Sequence, residues 1–145
     1  MGQQQLLLIV LGVIIVGIAI AVGISMFKSS AVDANRSAVS SDLTNLASKA
    51  QRYYRTPVEL GGGGQNFKGF KLSPLDTGNA NGSYSLSTTE PSGTAYVPGD
   101  TASITDDAQT IYIIGCGKEK GDDGTNPVKH YAVVTPDAIQ IKRLN

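Results

Sequence analysis

The stretch 6–27, LLLIVLGVIIVGIAIAVGISMF, decides how the rest of the chain is read. It holds 22 residues, no charge and one polar side chain, Ser25. As a helix it would be roughly 33 Å long, enough to cross a hydrocarbon core. A cleaved secretory signal is the rival reading, but such signals carry a basic n-region and a small-residue cleavage site. Residues 1–5 hold no Lys or Arg, and the apolar run passes through Ser29, Ser30 and Ala31 into a sequence that keeps helical spacing. Retention of the segment is therefore expected. Ile and Val dominate it, so lipid or neighbouring helices must stabilise a stretch built from stiff, β-branched residues. Gly17 with Ala21 and Ala19 with Gly23 form small-xxx-small pairs, and Gly12 is one more place for close backbone approach. Such residues are also common in any membrane helix. Lys28 follows the run and nothing basic precedes it; read literally, the positive-inside rule would put the C-terminal part in the cytoplasm. One lysine on a short flank gives that rule little to count.

Beyond residue 27 the apolar residues thin out but keep a period. Val32, Val39, Leu46 and Tyr53 recur every seventh place, with Leu43 and Ala50 between them. This is the stripe of an amphipathic helix, predicted to pack on a globular head through Val39, Leu43, Leu46, Ala50 and Tyr53. Asp33, Asn35, Arg36, Asp42, Lys49 and Arg52 are expected to face water or polar neighbours. Three heptads without a clear pattern of flanking charges argue poorly for a coiled coil. Pro57 disfavours helix at Thr56 and the glycines 61–64 open a loop, so the helix should end near Tyr54 or Arg55.

The chain then divides into a short polar N-terminus (1–5), an apolar helix (6–27), an amphipathic extension (28–55) and a β-rich head (56–145). The expected fold class is α+β: one long N-terminal helix packed on a C-terminal antiparallel sheet. Predicted strands are 67–72, 84–87, 94–97, 110–116, 130–135 and 138–144. TIYIIGC (110–116) reads as buried on both faces and central; Ile139 and Ile141 alternate with Gln140 and Lys142 in a closing hairpin turned by Pro136 and Asp137. Stretches 76–83 and 118–128 are expected to be exposed loops.

Composition limits the chemistry. Twelve basic residues balance twelve acidic ones, which leaves no electrostatic footprint for nucleic acid. The single cysteine, Cys116, and the single histidine, His130, exclude an intramolecular disulfide and a Cys/His metal cluster. Cys116 sits in the most apolar strand, where a thiol stays protonated and acts as a small hydrophobe. Asp122, Asp123 and Asn126 crowd oxygens that calcium would accept, without the order or distant glutamate of an EF-hand, so a solvated loop is the default. Asn35 and Asn81 match the glycosylation acceptor pattern, which short sequences often match by chance. Gly61 to Gly64 lack a P-loop lysine; flexibility or a tight passage beside the helix accounts for them. No cofactor is expected, and no nucleophile, base or metal constellation argues for an enzyme.

The arrangement of Gly2-Gln-Gln-Gln-Leu-Leu-Leu-Ile-Val-Leu11, the apolar run to Phe27, the amphipathic extension and the C-terminal sheet resembles type IV pilins and the related pseudopilins. The resemblance covers the whole chain in architecture; the sequence likeness is concentrated in the first 27 residues. It implies that a prepilin peptidase cuts after Gly2 and methylates Gln3. It implies further that the subunit waits in the inner membrane, and that an assembly machinery builds it into an extracellular homopolymer. Leu7, Leu11, Gly12, Ile14, Gly17, Ile18, Ala21 and Gly23 would then pack the filament core. Three features depart from the family pattern. No basic residue precedes Gly2, Leu7 stands where a glutamate is usual, and the apolar run lacks a central proline. Gly12, Gly17 and Gly23 would instead allow local stretching. A minor pseudopilin of a type II-like secretion system is the alternative in the same class. From another class, the alternative is a monomeric membrane-anchored binding domain using loops 78–83 and 121–126.

Overall fold

The computed structural model describes residues 2–94 and 103–145. Helix α1 (Gly2–Arg55) is uninterrupted over 54 residues, roughly 81 Å at 1.5 Å per residue. A short 3-10 turn (Val58–Leu60) follows, then four strands: β1 (Gly82–Ser87), β2 (Ile111–Lys120), β3 (Pro127–Val134) and β4 (Ile139–Arg143). They form one antiparallel sheet in the order β1-β2-β3-β4. The fold class is α+β, with the second half of α1 lying across one face of the sheet.

The core lies between that half-helix and the sheet. Val39, Leu43, Leu46, Ala47 and Ala50 of α1 are buried against Ile111 and Ile113 of β2, Ala132 and Val134 of β3, and Tyr84 and Leu86 of β1. Gly115 leaves β2 thin at the crossing; a Cβ there would press on Val39 and on the Tyr84 ring. The opposite sheet face carries a second cluster of Ile114, Cys116 and Tyr131, flanked by Tyr112, Val133 and Leu144. The chain after β1 straps it: Tyr131 Oη donates to Glu90 at 2.8 Å and Lys129 Nζ to the Thr94 carbonyl at 3.1 Å.

Helix α1 stops at Arg55 because the following loop takes over its last carbonyls. Gly63 N donates to Tyr53 O and Gln65 N to Tyr54 O, both at 2.8 Å, satisfying groups that a helix end leaves open. A Cβ on Gly63 would strike both the Asn66 carbonyl and the Tyr53 ring. The glycine run is therefore a tight passage that closes the helix.

Three expectations about the head are corrected. Residues 67–72 are not a strand; apart from a bridge of Lys71 to Ser103 they form a turn in which Phe70 N bonds to Phe67 O. In a strand, side chains three apart point to opposite faces. The turn instead buries both rings, Phe67 against Tyr54 at 4.8 Å and Phe70 against Tyr53 at 5.5 Å. Second, the loop expected over 118–128 is strand at both ends and loop only over 121–126. β2 runs on to Lys120 and β3 begins at Pro127, leaving a short turn in which Asp123 accepts hydrogen bonds from the backbone N–H of Thr125 and Asn126. Third, the start of the loop expected over 76–83 holds, but Gly82 and Ser83 belong to β1. Of the expected strand 94–97, residues 95–97 lie outside the described residues, as does Met1 of the N-terminal segment.

Candidate functional site

The two halves of α1 differ in what covers them. Every large apolar side chain from Leu6 to Phe27 is more than half exposed, from 52% at Ile14 to 79% at Phe27. Among the described residues this is the one helix whose length and composition suit a membrane span. Leu7, Leu11, Ile14 and Ile18 are exposed, and a Cβ added at Gly12, Gly17 or Gly23 would meet nothing. Ala21, Gly2 and Gln3 are exposed as well. In the second half Val39, Leu43, Leu46 and Ala50 are buried, with Tyr53 packed at their edge. Ala47, absent from the periodic stripe read in the sequence, is also fully buried.

One face of α1 stays bare along both halves. At roughly 100° per residue, Gly12, Ala19, Gly23, Ser30, Ala34, Ser37, Ser41 and Ser48 fall on a single seam. Val39, Leu43, Leu46 and Ala50 fall on the opposite side, under the sheet. These eight residues are exposed and none is larger than serine; Val16, at the same azimuth as Ala34, is the bulkier side chain among them. The sequence held this signal; reading the two halves with separate periodicities hid it.

Polar side chains of the covered half grip the head. Asp42 accepts from Asn79 Nδ2 at 2.8 Å, Asn81 Nδ2 at 2.9 Å and Tyr84 Oη at 2.6 Å. Burial alone would raise its pKa, but these three donors hold the carboxyl below the usual aspartate value. Asn35 Nδ2 donates to the Asn81 carbonyl at 2.9 Å, and its Oδ1 accepts from the backbone of Lys118 and Glu119. Gln51 Nε2 reaches the Thr135 carbonyl, and Tyr54 Oη reaches Gln109. At the base of the head Asp122 bridges Arg36 of α1 and Arg143 of β4.

These contacts bear on the other candidates. Asp122 is committed to two guanidiniums. Asp123 is held far below the usual range, chiefly by the Asn126 side chain and then by the turn's N–H groups, and Asn145 Nδ2 also donates to it. Asn126 is thus a donor to Asp123, and no group of three His, Cys, Asp or Glu side chains that could hold a metal occurs among the described residues. The amide nitrogens of Asn35 and Asn81, where a glycan would attach, both sit in part-buried hydrogen bonds to the head or helix. Burial pushes the Cys116 thiol up, opposed by nearby Lys129. His130 lies on the helix-facing side of β3, bonded to Ser40 at 2.7 Å. Two open grooves of about 470 and 530 Å³ run beside the helix and share Lys49 and Arg52; exposed Leu75 lines the first and exposed Leu60 the second.

Comparisons with protein-family models, curated proteins and solved structures found no match to this chain.

Proposed function

We propose that the chain is a structural subunit of a type IV pilus-like filament, anchored in a membrane by residues 6–27 before assembly and held in the polymer by the same segment. The observation that carries this reading is the asymmetry of α1. One half is clothed by its own head, the other is apolar and bare all round, and a seam of small side chains runs opposite the head through both. A lipid anchor needs only apolarity. Small residues in line let helix backbones approach closely, the usual device of helix association where neighbours are apolar.

In this reading identical apolar helices replace lipid around residues 6–27. If about 1,000 Å² of apolar surface per subunit leaves water relative to an extracted monomer, the gross term is on the order of 25 kcal/mol before association costs. Contacts between unlike patches of identical subunits that fail to close a ring give a helical fibre. The head and its loops then form the outer surface, and the subunit performs no catalysis of its own. The cell-surface location, the assembly machinery and the processing at Gly2 and Gln3 belong to the same proposal.

The test is electron microscopy of sheared cell-surface material, with mass spectrometry of the subunit's N-terminus. Ile14→Asp and Ile18→Asp should abolish fibres while the head stays folded. Ala19→Leu and Gly23→Leu are the sharper variants, since leucine favours membrane insertion while filling the seam. Protein retained in the membrane fraction with fibres lost supports the reading. Normal fibres from both leucine variants defeat the seam, and detergent-solubilised protein that is monomeric, from cells without fibres, points to an anchored binding domain.

A further inference from the structure

His130 lies in the polar part of the helix-sheet interface, at the base of the head where α1 emerges toward its bare half. The residue is 7% exposed. Its Nδ1 lies 2.7 Å from Ser40 Oγ, while Nε2 is buried with no hydrogen-bonding partner among the described residues. Arg36 Nε, one turn before Ser40, is buried and unpartnered in the same way. The groups facing the ring come from every element around it. Helix α1 presents Arg36 and Ser40, with Asp33 on the solvent side of Arg36 at 3.6 Å. Strand β2 presents Gly115, which pairs with His130 and brings no side chain. Strand β4 presents Arg143, the cross-strand partner of His130. The β2–β3 turn presents Asp122, bound to both guanidiniums.

A neutral imidazole suits this setting in its Nδ1–H tautomer. That ring donates from Nδ1 to Ser40 Oγ and leaves a lone pair, not a proton, at the buried Nε2. An imidazolium has two N–H donors. The second would be buried without an acceptor, beside two guanidiniums that share Asp122, with Asp33 on the far side of Arg36.

We propose that His130 is an acid-sensitive latch between the helix and the base of the head, closed when the ring is neutral and opened when it takes a proton. Burial, and then Arg36, depress its affinity for protons in the closed form. The sign follows: a histidine with a lowered folded pKa contributes its stability above the unfolded value of about 6.5. That contribution is lost as pH falls toward the folded value. Each pH unit in that window favours the open form by about tenfold. The chain's one histidine lies at the base and the upper interface, with Leu46, Ala50, Phe67 and Phe70 in its core, has none, so opening is confined to the base. The head would then pivot on its helix while staying attached.

The experiment uses the full chain in detergent micelles between pH 7.5 and 4.5, with hydrogen exchange corrected for its intrinsic pH dependence. The ring resonances of the single histidine are followed in parallel. Peptides covering 36–42 and 127–134 should lose protection by about tenfold per pH unit below about 6.5, while 46–55 stays protected. His130→Gln, neutral at every pH, should abolish that slope. A ring that titrates like a free histidine with protection unchanged overturns the proposal, and so does an unchanged slope in His130→Gln. Should that variant fail to fold, the wild-type ring titration and exchange profile decide alone.

Discussion

Helix α1 offers a comparison within one element: residues 31–55 have found their partner in the same chain, and residues 2–30 have not. Both halves share one backbone geometry, so the difference lies in their side chains. The covered half buries a narrow apolar stripe and surrounds it with polar grips, Asn35, Arg36, Ser40, Asp42, Gln51 and Tyr54, each bonded to a defined atom of the head. Such contacts fix one register against one partner, because each shifted pairing leaves a buried donor or acceptor unmet. The bare half has no comparable groups. In the proposed filament its partner would be specified by shape, through the small residues Gly12, Ala19, Gly23 and Ser30 in line, and shape acts only when a second apolar surface comes close.

The largest effect should come from deleting the same side chain in the two halves. Leu43 is fully buried, so Leu43→Ala should cost about 2–5 kcal/mol of head stability. Leu11 is 53% exposed in the single chain, and Leu11→Ala should leave head unfolding in detergent unchanged. Denaturant titration monitored by tyrosine near-ultraviolet dichroism measures both. Equal losses would mean that the head reaches down the helix and the two halves are not distinct.

Next comes the polar grip. Asp42→Ala strands three donors on two loop asparagines and Tyr84, and the expected loss is about 2 kcal/mol. Tyr84→Phe removes one bond of the three and should cost about 1 kcal/mol. Because the Asp42 pKa is lowered in the folded head, its contribution is present above the ordinary aspartate value of about 3.9 and is lost as pH falls through the folded one. Asp42→Asn should therefore flatten part of the acid arm of the stability curve. An identical acid arm in that variant would place the dependence on other carboxylates.

The contrast between the halves was legible in the sequence, since an uncharged run of 22 residues and a seven-residue period need no tertiary information. The end of α1, the central place of β2 and the closing β3–β4 hairpin were legible on the same grounds. Less visible was what depends on partners far along the chain. Asp42 reads as facing water or polar neighbours, and which neighbours is undecided until Asn79, Asn81 and Tyr84 are brought to it. Phe67 and Phe70 read as strand residues because their burial depends on Tyr54 and Tyr53. Lys118, Glu119 and Lys120 read as loop because polarity marks exposure, and an exposed strand end is as polar as a turn.

A smaller effect tests how closely the helix approaches the sheet. Gly117 faces Asn35, and a Cβ there would collide with Asn35 Oδ1. Gly117→Ala should turn Asn35 aside and release the Lys118 and Glu119 amides, for a loss of about 1 kcal/mol. Amide exchange should rise locally at those two positions. The double variant Gly117→Ala with Asn35→Ala should cost no more than Asn35→Ala alone, since both remove one contact. Additive losses would show that Gly117 matters for the strand and not for the grip.

The smallest effect concerns a contact that looks like a grip and behaves differently. Lys49 Nζ lies 2.7 Å from Asp76 Oδ1, a distance as short as those at Asp42, but its side chain is 46% exposed. Water screens the pair, and ordering a long lysine costs entropy, so exposed ion pairs contribute about 0–1 kcal/mol. Asp76 also accepts from Ser73 Oγ at 2.9 Å and keeps that bond when the lysine is gone. Lys49 chiefly, with Ser73, lowers the Asp76 pKa, so any contribution fades as pH falls through that lowered value. Lys49→Ala should cost under about 0.5 kcal/mol at neutral pH and less at high salt. A loss as large as that of Asp42→Ala, insensitive to salt, would mean that the helix is held through charge along its exposed flank and that burial does not separate strong contacts from weak ones.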